Sequence, residues 1–277
     1  MRGEKIAGCA NEIACWCAER DVSSLSREAL LDEAGFEGGV SDLFVLFGGG
    51  VSGIVDELAR AMEAGLARRY AIVGGRGHAT YLLDRSFERE LPDAGGTPAA
   101  LPRAGVDSEA EMLDALLRSR YGMRADVLET RSTNCGNNIS HLMDLLEGEG
   151  ATPASVVLCQ DAVMQLRMGA TWRRQARERE GFARTKVVCW AAYQAELEWR
   201  DGRLGWRRAP RGIWPVDRYV ELLSGEVARL TDDEGGYGPC GRDFLEHVDV
   251  PDEVSDAAET LREALGTSGR PPDGRYA

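Results

Sequence analysis

Asp42-Leu43-Phe44-Val45-Leu46-Phe47-Gly48-Gly49-Gly50-Val51-Ser52-Gly53 is the stretch that decides the fold. An apolar run stops on three glycines, and Ile54, Leu58, Ala61, Met62 and Leu66 then follow at helical spacing. The reading is strand, loop, helix. The same order recurs along the chain. Residues 70–73 lead into Gly74-Gly75-Arg76-Gly77-His78. Residues 125–129 lead into Arg131-Ser132-Thr133-Asn134-Cys135-Gly136-Asn137-Asn138, and residues 155–160 into Asp161. A Val-Val-Cys-Trp run over 185–192 supplies a fifth strand. Repetition of this unit predicts an α/β fold with a mostly parallel sheet. In such a sheet the loops after the strand carboxyl ends open on one edge, where ligands bind. Polar residues scattered over more than a hundred positions are therefore expected to meet.

Working outward, the pattern divides into an N-terminal helical segment (1–40), the α/β core (41–195) and a smaller C-terminal subdomain with its tail (196–277). Helices are expected over 5–21, over 26–33 behind a Ser24 cap, and over 54–68. Further helices are expected over 108–120, where Ser108-Glu109-Ala110-Glu111 resembles a capping box shifted by one residue, over 135–148 and over 162–179. Prolines and glycines make 85–106 read as a loop. Trp199, Trp206 and Trp214 lie in a stretch that fits a hairpin, followed by helices over 216–223 and 251–265. Around Tyr237 the glycines read as a loop with hinges.

The chain of 277 residues carries 33 basic against 46 acidic side chains, a formal charge of −13. That balance disfavours nucleic acid and anionic membrane as partners. No run reaches the roughly 20 apolar residues of a spanning helix. Seven cysteines, mostly in apolar runs, read as reduced thiols of a cytoplasmic protein. Cys15-Trp16-Cys17 lacks the spacing of a metal pair, so no metal is expected.

The polar segments carry the chemistry. Gly48, Gly50 and Gly53 match G-x-G-x-x-G, with Gly49 between them. The acid that should end the next strand is missing, and Gly74-Gly75-Arg76 stands there instead. Arg76 fits a 2′-phosphate, which keeps an NADP-dependent reductase open, while a tight turn accounts for the glycines equally well. Gly74, Gly75 and Gly77 around Arg76 and His78 allow backbone N–H groups and two side chains to face a ligand. His78, one of three histidines, is a candidate base. Ser132, Thr133, Asn134 and Asn138 exceed what capping one helix needs. Glu129 suits ribose hydroxyls or an ammonium, or else an ion pair with Arg131. Gln160, Asp161 and Gln165 close the fourth strand; Asp161 is either catalytic or a helix-start acid held by the dipole. Arg167 reads as part of a solvated basic face with Arg173 and Arg174.

These segments have a known likeness. Gly74-Gly75-x-Gly77-His78-x-Thr80, Ser132-Thr133-Asn134-Cys135-Gly136-x-Asn138 and Gln160-Asp161-x-x-Met164-Gln165-x-Arg167 resemble the bacterial YdcF family, which also holds SanA-type envelope proteins. So do Trp214-Pro215-Val216-x-Arg218-Tyr219, Leu223-x-Gly225-Glu226, and Asp232-Asp233-x-x-Gly236-Tyr237-Gly238-Pro239-x-Gly241-Arg242-Asp243-Phe244. The resemblance spans about residues 41–250. It implies a Rossmann-like core and binding of S-adenosylmethionine. One departure is Asn137, where the family carries Glu.

The expectation is then a transferase moving a methyl or 3-amino-3-carboxypropyl group from S-adenosylmethionine to a small-molecule acceptor. A composition high in Ala, Gly and Arg suggests a GC-rich bacterial genome and a role in secondary-metabolite biosynthesis. A non-enzymatic nucleotide or S-adenosylmethionine sensor is the alternative. Tyr237 and Arg242 are expected to reach over the sheet edge as a lid.

Overall fold

The computed structural model describes residues 2–77, 80–90, 103 and 105–266. Five parallel strands form one sheet in the order β3-β2-β1-β4-β5: β1 Ser41–Phe47, β2 Ala67–Val73, β3 Val127–Glu129, β4 Ser155–Gln160 and β5 Lys186–Ala191. All five expected strands are present. Helices cover both faces, so the fold is a Rossmann-like three-layer α/β domain.

Alternation along the strands explains the layers. Leu43, Val45, Phe47, Ala71, Val73, Val156 and Leu158 pack against α6 (Cys135–Gly148) and α7 (Gln165–Ala176) through Ile139, Leu142, Met143, Met168 and Trp172. Phe44, Leu46, Ile72, Val157 and Val188 face the other way. They share a cluster with α1 (Arg2–Cys17), α3 (Val55–Glu63), α5 (Glu109–Tyr121), α8 (Val216–Leu230) and α9 (Asp252–Leu265). The chain winds from β1 outward to β3, then crosses to β4. The strand order therefore reverses between β1 and β4, and that switch point is where ligands bind in open α/β sheets.

Several boundaries differ from expectation for local reasons. The α2 helix (Arg27–Asp32) is capped by Ser26, not Ser24, with the Ser26 hydroxyl accepting from Ala29 N. The third helix ends at Glu63 because Gly65 takes a left-handed turn (φ 59°) into β2. Residues 80–90 are helical as α4 (Thr80–Glu90), so the first part of the loop expected over 85–106 is helix, and most of the remainder lies outside the described residues. Ser108 and Glu111 make an unshifted capping box on α5. α8 runs on to Leu230 instead of stopping at 223. The expected hairpin is β6 (Glu196–Arg200) with β7 (Arg203–Arg208).

The C-terminal elements join the sheet's own core. Trp214, Tyr219, Leu223, Val227, Ala257 and Leu261 belong to the cluster that holds Phe44 and Ile72. Trp214 and Tyr219 thus do not form a small separate core. Among the described residues, no helix is long and apolar enough to cross a membrane.

Candidate functional site

A cleft of about 450 Å³ opens at the switch point. That volume lies within the range of small-molecule sites. Gly48 and Gly49 after β1, Gly75 and Gly77 after β2, residues 132–138 after β3, and Gln160 after β4 all line it. Loops from four strand ends therefore meet at one place. Residues of α7, α8 and the segment around Tyr237 complete the wall.

The floor is built by backbone docking. Glu109 N and Ala110 N donate to the carbonyls of Gly75 and Gly74 at 2.9 and 2.8 Å. This seats the start of α5 on the β2 loop and lays the Glu109 side chain against Gly48. A β-carbon on Gly48 would meet Glu109 Oε2 at 2.5 Å. On the next residue, a β-carbon at Gly49 would stand 3.4 Å from Asp161 Oδ2. Two buried carboxyls thus flank the diglycine. Burial pushes Glu109 up to about 7, against a smaller lowering by the Thr80 hydroxyl, which donates at 2.5 Å. Burial pushes Asp161 up to about 6, although Val163 N and Tyr193 Oη donate to its Oδ1. Glu109 lines the cleft, whereas Asp161, expected as a catalytic acid, stands outside the lining beside Gly49. The sequence reading missed Glu109, which it treated only as part of a helix start.

Gln160 is locked between these acids. Its Nε2 donates to Gly48 O at 3.0 Å, its Oε1 accepts from Asp161 N at 2.7 Å, and its own N donates to Gln165 Oε1 at 2.7 Å. Gln165 is fully buried, supports Gln160 and stands outside the cleft lining.

The glycines do work different from that expected. A β-carbon at Gly75 would come 2.0 Å from Ser132 O, and one at Gly77 would come 2.6 Å from Thr133 O. They let two loops touch, and Gly75 N also donates to Ser132 Oγ at 2.9 Å. Gly50 is filled by Trp214, whose Nε1 donates to Gly50 O at 2.9 Å. Gly53 packs on the Arg211 backbone and donates to its carbonyl. The G-x-G-x-x-G pattern therefore serves the docking of the C-terminal chain, and neither Gly50 nor Gly53 faces a pyrophosphate. Gly74 packs on Gly48 and Glu109 beneath the lining. Arg76 donates to Asp84 and to Asp107 O and is not part of the lining, which corrects its assignment to a ligand phosphate.

Much of the polar excess over 132–138 is satisfied internally. Asn134 caps α6, its Oδ1 accepting from Asn137 N at 2.8 Å. Asn137 Oδ1 accepts from Thr133 Oγ1 at 2.9 Å and from Asn134 Nδ2 at 3.2 Å. These residues and Asn138 still line the cleft. Cys135 lines it too, but burial raises its thiol, so it is no ready nucleophile. Glu129 turns back on its own loop, accepting from Arg131 N at 2.7 Å and Ser132 N at 3.4 Å, and does not reach the cleft. That placement withdraws it from the chemistry. His78 lies outside the described residues.

On the opposite wall Arg167 is not part of a solvated face. Its Nε and Nη2 hold Glu226 at 2.7 and 3.0 Å, with Glu226 1% exposed. Tyr237 lines the cleft, edge-on to Phe244 at 5.5 Å. Arg242 is exposed and outside the lining, so the lid contact expected of it is not made; Asp243 lines the cleft instead and binds Arg174. The glycines nearby are packing sites: a β-carbon on Gly236 would fall 1.7 Å from Thr231 O, and one on Gly241 2.3 Å from Gly236 O. No protein-family model matches the chain.

Proposed function

We propose that the protein is a transferase that binds S-adenosylmethionine in this cleft and moves a methyl or 3-amino-3-carboxypropyl group to a small-molecule acceptor. The observation that carries the reading is Glu109, a buried carboxyl at about 7 on the wall of a switch-point cleft. A carboxyl so placed is half ionised near neutral pH. It can accept a proton from an acceptor O–H, N–H or S–H as that atom attacks. The acceptor forms a bond to the activated carbon, the C–S bond breaks, and its electron pair returns to sulfur as a neutral thioether. In its ionised form Glu109 also suits the sulfonium charge. The Gly49 backbone and the Asn138 amide on the lining offer partners for adenine and ribose, with Gly48, Asn134 and Gln160 held in place by their internal hydrogen bonds. Asp161 behind Gly49 is a second acid whose protonation is electrostatically linked to Glu109. The resemblance of residues 74–80, 132–138 and 160–167 to the YdcF family favours this cofactor. NADP is disfavoured, because Arg76 is held by Asp84 and Gly50 is closed by Trp214.

Calorimetric titration with S-adenosylmethionine, NADP and a nucleoside triphosphate tests the reading. Binding of the first, with loss in Glu109→Gln, is expected. Preference for NADP or the triphosphate would overturn it. Tight S-adenosylmethionine binding that Glu109→Gln does not alter would turn the cleft into a sensor site.

A further inference from the structure

The cleft wall holds one arginine that differs from its neighbours. Arg167 uses its Nε and Nη2 on Glu226, and Arg174 uses its Nε and Nη2 on Asp243 at 2.9 and 2.7 Å. In both cases the side edge of the guanidinium grips a carboxylate in two parallel bonds, the geometry that suits planar oxyanions. Arg218, on the first turn of α8, also lines the cleft, and its side chain is 17% exposed. Its Nη1 donates to Glu221 at 2.5 Å. Its Nε is buried and has no acceptor among the described residues. A buried cationic donor left without an acceptor is costly, and a ligand oxyanion would relieve that cost. Leu222 and Tyr237 line the same cleft and provide apolar surface that strengthens such a pair.

We propose that Arg218 is the oxyanion-recognition residue of this cleft and takes a carboxylate or phosphate of the bound small molecule on its Nε edge. This deepens the transferase reading and rests on the same cleft, but it names a different chemistry from that of Glu109. Under that reading the oxyanion is the α-carboxylate of S-adenosylmethionine; a nucleotide phosphate offers the same geometry.

The test uses the full chain as wild type, Arg218→Gln and Arg218→Lys, with melting temperature as the fold control. Four probes are titrated: S-adenosylmethionine, its decarboxylated form, adenosine monophosphate and adenosine. A carboxylate source predicts that the wild type binds S-adenosylmethionine about ten- to hundredfold more tightly than the decarboxylated form, that Arg218→Gln removes the difference, and that Arg218→Lys restores part of it. A phosphate source predicts the same pattern for adenosine monophosphate over adenosine. That outcome, without S-adenosylmethionine binding, keeps Arg218 in its role and removes the transferase reading. S-adenosylmethionine binding without discrimination against the decarboxylated form overturns the Arg218 assignment and leaves the transferase reading standing. Undiminished discrimination in both variants also overturns the assignment. Failure of the wild type to bind any of the four overturns both.

Discussion

Glu109 Oε2 occupies the space beside Gly48, where an added β-carbon would come within 2.5 Å of it. Because Gly48 N also donates to Val73 O, the glycine cannot retreat without breaking a bond at the end of β1. Gly48→Ala is therefore expected to push the carboxyl out of its place and to cost about 1–3 kcal/mol by overpacking. Chemical denaturation measures the cost, and ligand titration measures the lost site. An alanine variant with wild-type stability and binding would show that the contact does not position Glu109.

The two buried carboxyls set a pH dependence. Both folded values lie above the ordinary carboxylate range, so their contribution to stability is full below about pH 4. It is lost as pH rises through about 6 for Asp161 and about 7 for Glu109. Glu109→Gln should therefore gain on the wild type between pH 5 and 8, by about 3 kcal/mol at most. Denaturation curves at several pH values check this. A cationic ligand prefers ionised Glu109, so its affinity should rise as pH passes about 7, with proton release on binding.

Arg167 and Glu226 form a buried pair between α7 and α8 on the cleft wall. Removing Glu226 strands the Arg167 guanidinium, and removing Arg167 leaves buried Glu226 only the longer contact with Arg229 at 3.7 Å, so Glu226→Ala should cost about 3–5 kcal/mol and Arg167→Ala somewhat less. Joint replacement, Arg167→Met with Glu226→Leu, should cost much less than the sum. A double-mutant cycle on melting gives the coupling; additive losses would mean that the pair does not act as a unit.

Asn134→Ala removes the acceptor for Asn137 N at the start of α6 and should lower stability by about 1 kcal/mol. Position 137 is the third residue of that helix, where a Glu closes a capping box. Asn137→Glu is then expected to keep or raise the melting temperature, since its carboxylate can reach back toward the cap. A lower value would show that the short amide, which accepts from Thr133 and Asn134, is what this loop needs.

Arg242→Ala should leave ligand affinity within about twofold, because its exposed side chain is outside the cleft. Asp243→Ala should have the larger effect, since it releases the Nε and Nη2 edge of Arg174 on the cleft wall and leaves that side chain only Glu178 among the described residues. The reverse ranking in a titration would mean that the segment closes over the ligand in another arrangement.

The sheet was legible because the strands are apolar runs, three of which stop abruptly on glycine or amide, as at Phe47-Gly48, Val73-Gly74 and Gln160-Asp161. Convergence at one edge follows from the parallel arrangement alone. What the glycines touch was not legible: Gly50 against Trp214 and Gly75 against Ser132 are contacts between distant segments. Glu109 was hidden behind Ser108, whose capping pattern accounts for the local sequence. Its inward direction comes from α5 docking on the Gly74 and Gly75 carbonyls. The Arg167–Glu226 pair joins residues 59 apart, beyond any helical periodicity. The helix expected over 216–223 continues through Ser224 and Gly225, both buried within α8.

Ile6, Ala10 and Ile13 of α1 share their apolar cluster with Val254, Ala257 and Leu261 of α9. During synthesis the first of these stripes leaves the ribosome long before the second exists. Until residues 252–265 emerge, the part of the α1 face that α9 covers stays open. At translation rates of about 5–20 residues per second that exposure lasts for tens of seconds. A truncation that removes α9 would leave that stripe exposed in the finished chain.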